Sequence, residues 1–322
     1  DGQLPYSSFS NAVAYKSQEL VWTTAQLLPE WASPGFYFSM KDRKRAISLI
    51  KGLSIVEKPS LEQVTQHCIN LCNKLIDEND KSESFDEKRF DIKTKVMSQL
   101  YRYFQSNISS NHKSGQTRDN LQNIPCILVE SGKRFVYPHQ VVIECSESQE
   151  IKPYLYAIPK GLAQFRNFFE LVGSPRKVGC REYAMVLQMI HQLWPQKISD
   201  PNALKQLLIA VKGFFKCVEE LESSFSPESL KVLYLPGYTK NDTDGSKPLP
   251  VFLRQAKSLI YNDAPCHNER LKQFSEMLLL DLKDCGIKKV NIKDDLLTKI
   301  PEKHRPKLLS EVVKEELVAS SC

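Results

Sequence analysis

The chain has 322 residues, 41% of them hydrophobic and 25% charged. That composition excludes a disordered chain and suffices for one large core or two ordinary ones. The formal net charge is +6, from 44 basic and 38 acidic residues, too mild to suggest a nucleic-acid partner, which calls for a concentrated basic face.

The densest basic cluster is Lys41, Arg43, Lys44, Arg45 and Lys51. It is short and reads as a solvated helix face rather than a phosphate-binding patch. No apolar run approaches the ~18 residues of a membrane span, so none is expected. The nine cysteines are scattered, odd in number and without a CxxC, a usage that fits a reducing, cytoplasmic compartment. The chain opens on Asp1 rather than Met, as a segment of a longer protein or a processed chain does.

In chain order, residues 1–59 mix a short helical pattern with loops punctuated by proline. Trp22, Leu27, Leu28 and Trp31 form an apolar stretch broken at Pro29 and Pro34, and 41–51 reads as a helix. The first clear helix covers 61–76, where Leu61, Val64, Cys68, Leu71, Cys72 and Leu75 recur at helical spacing. Ser60 with Gln63 fits a capping box at its start. A second helix is expected over about 87–106. The polar stretch 106–120 reads as a linker or mobile loop.

The pattern then changes. Residues 124–130 and 134–137 flank Ser131-Gly132-Lys133, as in a β-hairpin, and 140–144 and 154–156 are further extended candidates. Helices are expected at about 160–172, 181–194 and 202–222, the last capped by Asp200 with Pro201 in its first turn. Short strands follow at 231–235 and 258–261, on either side of a polar loop. Helices near 268–284 and 306–318 close the chain. The fold class is α+β, predominantly α-helical with a small antiparallel β element: a hairpin near 124–144 and short strands near 231–235 and 258–261. Two subdomains are expected, 1–115 mainly helical and 116–322 hairpin plus helices, or the two run on as one domain.

The motifs of chemistry are missing. No two of the 12 glycines form a G-x-G, and there is no GxxxxGK[ST], so no common nucleotide loop is present. His67, Cys68 and Cys72 share one helix, but the two cysteines fall on its apolar face and read as core. Cys266-His267 lacks a second ligand pair. Asp242-Thr243-Asp244-Gly245 has Lys240 and Val251 at the first and twelfth positions of a calcium loop, where acidic ligands are needed. Cys180 and His191 stand about three turns apart on one helix, too far for contact. His191 lies beside an apolar stripe and reads as a partly buried structural histidine. Tyr101, Tyr103 and Phe104 read as core rather than as a base-stacking platform. No catalytic, cofactor-binding or metal residue is expected, and no cofactor.

Four stretches, in order, resemble the repeating regions of the sacsin family. They are VWTTAQLLPEW at 21–31 with the KPSLEQVTQHCINLC helix, IPCILVESGKRFVYPHQVVI at 124–143, PYLYAIP at 153–159 leading into FRNFFELVG and CREYAMVLQMI, and VLYLP at 232–236 with SLIYNDAP at 258–265. Repeats of that family begin with an ATPase-like module related to the GHKL chaperones. None of its nucleotide motifs occurs here, so the resemblance implies the part of a repeat downstream of that module. It implies a cytosolic role in protein quality control and intermediate-filament organisation. It also implies protein partners: neighbouring repeat modules, chaperones and filament or other clients. The expectation is a non-catalytic scaffold or interaction segment, with a Cys/His-dependent hydrolase as the alternative.

Overall fold

A computed structural model describes residues 3–5, 14–16, 60–81, 87–108, 114–129, 134–145, 150–221, 231–238, 251–261, 263, 278–279 and 294–312. The contacts divide the chain into two compact units, 1–143 with 158–176, and 144–157 with 177–322.

In the first unit, β1 (Gln3–Pro5) pairs antiparallel with β2 (Ala14–Lys16). Helix α1 (Leu61–Lys81) follows. Its residues Val64, Thr65, Cys68, Leu71 and Cys72 are buried at i, i+3/i+4 spacing, the stripe a core-facing helix presents. Helix α2 (Glu87–Asn107) buries Met97, Leu100, Tyr101 and Phe104 the same way. Both helices fall where their periodicity places them.

The stretch expected as a linker is corrected in part: Ser114–Gln122 is helix α3. Its sequence SGQTRDNLQ is polar, yet Thr117 and Leu121 stand one turn apart and both are buried. Packing on α1 therefore supplies what local propensity lacks.

Strands β3 (Ile127–Val129) and β4 (Arg134–Val136) then form the expected hairpin, with Leu128 opposite Phe135. A 3₁₀ turn at Pro138–Gln140 and strand β5 (Val141–Val142) follow. The buried Ser174 hydroxyl donates to the Pro138 carbonyl at 2.9 Å. A 3₁₀ turn over Lys160–Phe165 runs into helix α4 (Arg166–Leu171).

This unit's core is aromatic. The Tyr101 ring lies 5.6, 5.6 and 5.1 Å from those of Phe165, Phe168 and Phe169. Phe104 stacks on Phe168 at 5.5 Å. Burying each such ring stabilises by about 1.5–3 kcal/mol. The expected core role of Tyr101 and Phe104 therefore holds, whereas Tyr103 is half-buried.

In the second unit, strand β6 (Tyr156–Ala157) precedes a helical hairpin. Helix α5 (Cys180–Leu193) and helix α6 (Pro201–Glu220) are joined through strand β7 (Lys197–Ile198). Asp200 caps α6 as its sequence predicts, accepting the Ala203 amide at 2.8 Å, with Pro201 in the first turn. The buried face of α6 (Leu207, Ala210, Val211, Phe214, Phe215 and Val218) belongs to the same core as Tyr183, Ala184, Val186, Leu187 and Ile190 of α5. Gly213 lets the two helices close, because any Cβ there would overlap the Tyr183 ring.

The remaining strands are β8 (Tyr234–Tyr238), β9 (Val251–Gln255), β10 (Ile260–Tyr261), β11 (Leu278–Leu279) and β12 (Lys307–Leu308). With β7 they form a six-stranded sheet in the order β12-β10-β11-β8-β9-β7. Helix α7 (Asp294–Thr298) lies near the end of the described chain.

The α+β, mainly helical class is as expected, but the β part is larger. The sheet is mixed, with β10 parallel to both β11 and β12. Two expected helices are corrected in part within it. Leu278–Leu279, read as part of a helix near 268–284, and Lys307–Leu308, read as the start of one near 306–318, are strands, because they complete hydrogen bonding along β8 and β10, whereas 309–312 are helical as expected. The helix expected at 41–51, the apolar stretch at 22–31, the basic cluster at 41–51, Cys266-His267 and the loop around Asp242 lie outside the described residues.

Candidate functional site

The first unit places three thiols together. Cys68 and Cys72 stand one turn apart on α1, and each lies close enough to Cys126 to interact with it. Their relative exposures are 1%, 0% and 1%. The Cys72 thiol is pushed up by the Cys68 hydrogen bond and then by burial, and that of Cys126 by burial first. A thiol held in the neutral form, as at Cys72 and Cys126, is neither a nucleophile nor a metal ligand. Cys68 and Cys72 fill the buried face that their helix positions suggest. His67, on the same helix, is driven down to about 4 by burial and stays neutral at physiological pH. Among the described residues, no group of three His, Cys, Asp or Glu side chains could hold a metal ion.

A polar groove of about 340 Å³ opens between the start of α1 and α3. Ser60, Glu62, Thr65, Gln66, Thr117 and Asn120 line it. Thr65 and Thr117 are buried in its wall, and the Thr65 hydroxyl donates to the Leu61 carbonyl at 2.7 Å. Glu62 stands in the first turn of α1, where a carboxylate complements the helix dipole. That negative charge occupies the place an anionic ligand would need.

In the second unit, Cys180 and His191 begin and end the same helix, roughly 16 Å apart at 1.5 Å per residue, and each has a different neighbour. The His191 ring stacks on Tyr234 at 4.2 Å and 21°. Burial, and then the Arg254 charge, lower its pKa. Arg254 donates to the Pro195 and Leu253 carbonyls at 3.0 and 3.1 Å and lies 5.4 Å from the Phe252 ring centre. These contacts tie the end of α5 to the sheet.

Cys180 instead faces Cys217, near the end of α6, close enough for each thiol to shift the other's ionisation. Sequence reasoning missed this pair. Its signal was a cysteine at the start of one helix and another near the end of the next, which an antiparallel hairpin brings together.

The groups with shifted titration thus fall into two kinds. Burial holds Tyr101, Cys126, Cys145 and His67 in their neutral forms, and the Cys68 hydrogen bond with burial does the same for Cys72. Cys217 alone among the described cysteines with a resolved shift moves toward the thiolate.

The chain is similar to sacsin of Homo sapiens, 26% identical over 340 aligned positions that take in 98% of this chain and 7% of sacsin. It therefore spans a small fraction of that relative's length. This similarity bears out the resemblance read from the motifs between residues 21 and 265. No family model matches the chain, and no solved structure does. Among the described residues, no helix is long and apolar enough to cross a membrane.

Proposed function

We propose that this chain is a non-catalytic interaction segment of a larger sacsin-like protein. In this reading it presents folded surfaces to neighbouring modules, chaperones or client proteins in the cytoplasm, in support of protein quality control and intermediate-filament organisation. The observation that carries the proposal is the state of the buried titratable side chains. General acid–base and nucleophilic catalysis need groups poised near the working pH. Here burial moves Tyr101 and Cys126 away from ionisation and keeps His67 uncharged, and the Cys68 hydrogen bond with burial holds Cys72 back as well. The end-to-end similarity to one part of sacsin supplies the setting.

The hydrolase reading would join His191 to a cysteine. His191 instead stacks on Tyr234, while Cys180 meets Cys217. The test is rescue in cells lacking the full-length protein. A full-length His191→Ala variant that keeps its melting temperature should restore filament organisation as wild type does. Deletion of this segment should abolish rescue. A folded His191→Ala variant that fails would overturn the proposal in favour of site chemistry, and a deletion that rescues fully would overturn the interaction role.

A further inference from the structure

We propose that Cys180 and Cys217 are a redox modification site, at which a hydroperoxide closes an intramolecular disulfide that staples the start of α5 to the end of α6. Three observations place the reaction here. The first is proximity. The hairpin brings the first residue of α5 against the last turn of α6, with Tyr183 packed on Gly213 one turn further in on each helix, and the two thiols lie near enough for each to shift the other's ionisation.

The second is access. Cys180 and Cys217 are both partly exposed, whereas Cys68, Cys72 and Cys126 are buried. A dissolved peroxide can reach the first pair and not the second group.

The third is the polarity of the pair. The hydrogen bond from Cys180 favours a thiolate at Cys217, and Lys216 adds to it. Burial and the Glu220 and Glu182 carboxylates oppose it, and the balance leaves the Cys217 thiol below its ordinary range. The same hydrogen bond raises Cys180. One sulfur is thus set to attack and the other to resolve.

The chemistry balances. The Cys217 thiolate attacks one peroxide oxygen, the O–O bond breaks, and the departing hydroxide takes up the thiol's proton as water. Cys217 is left as a sulfenic acid. The Cys180 sulfur then attacks the Cys217 sulfur, the S–OH bond breaks, and the hydroxyl leaves with the Cys180 proton as a second water. Two thiols lose two electrons and two protons, and one peroxide is reduced to two waters. A dithiol reductant reverses the step, so the pair rests reduced in a reducing compartment.

The test uses the 322-residue chain, folded and fully reduced, treated with graded hydrogen peroxide, then alkylated and mapped by mass spectrometry without reduction. Cleavage after Lys177, Arg181 and Lys216 places the two cysteines on separate peptides. The expected result is a cross-linked peptide joining Cys180 to Cys217, removed by dithiothreitol. It should appear at roughly tenfold lower peroxide than any loss of alkylation at Cys68, Cys72 or Cys126. The oxidised chain should also melt at a higher temperature than the reduced one. In Cys180→Ser, Cys217 should instead accumulate as a sulfenic acid trapped by dimedone. Separate oxidation of the two residues to sulfinic acid without a cross-link in the wild-type chain would overturn the proposal. So would a cross-link formed only in denaturant, or buried thiols reacting first. None of these readings depends on the interaction role proposed above.

Discussion

The Tyr101 hydroxyl donates to the Cys126 carbonyl at 2.8 Å, inside a core where both residues are 1% exposed. The same oxygen accepts the Leu128 amide at 3.1 Å. One side chain of α2 thus satisfies two backbone groups at the entry to β3, while its ring lies among Phe165, Phe168 and Phe169. Tyr101 fixes both the depth and the register at which the hairpin meets the helices.

Tyr101→Phe should keep the ring contacts and remove both hydrogen bonds. A buried carbonyl and a buried amide would lose their partner, a loss of about 2–3 kcal/mol. Urea denaturation of wild type and variant measures it. A difference below about 0.5 kcal/mol would show that water or a backbone shift replaces the hydroxyl.

His67 should make the chain sensitive to mild acid. Its pKa is lowered to about 4 in the fold, from 6.5 when unfolded. Below 6.5 the unfolded chain takes up a proton that the folded chain refuses, so acidification favours unfolding. The associated stability is present above pH 6.5 and is lost progressively as pH falls toward 4, on the order of 2–3 kcal/mol in all. Denaturation midpoints of wild type and His67→Gln, followed from pH 7.5 to 4.5, should converge as pH falls. Parallel curves would mean that His67 is protonated in the fold.

Gly213→Ala should destabilise the second unit although alanine is the better helix former. The methyl group would overlap the Tyr183 ring, which is 8% exposed and has little room to move. Overpacking costs about 1–3 kcal/mol, against a helix-propensity gain of about 1 kcal/mol. In a Tyr183→Leu background the penalty should shrink, which a double-mutant cycle reads directly. An equal penalty in both backgrounds would remove Tyr183 as its cause.

The long helices were legible because their apolar residues repeat with the helical period, and the start of α6 because Asp200 and Pro201 carry cap chemistry. Helix α3 was not: Thr117 and Leu121 are its buried residues, too sparse a pattern to separate from a loop. Strands β11 and β12 are two residues each, and only pairing with distant strands defines them. The three thiols of the first unit show the same division. Cys68 and Cys72 declare their shared face through i, i+4 spacing, whereas Cys126 reaches them through the path of the chain. The link between Cys180 and Cys217 depends on how the α5–α6 hairpin closes, which local sequence does not state.

Lys299 reaches back to the end of α6, where its ammonium donates to the carbonyls of Glu219 and Leu221 at 2.9 and 2.7 Å. A little further on, β12 closes the sheet edge against β10. On the ribosome, α5 and α6 therefore emerge well before the lysine that covers the carbonyls at the end of α6 and the strand that closes the edge of the sheet. During that interval the nascent hairpin exposes a hydrophobic face and an unfinished β-edge, the surfaces by which partly made chains stick to one another. Emergence of Lys299 and β12 supplies the missing partners, so the hairpin is more exposed during translation than in the finished fold.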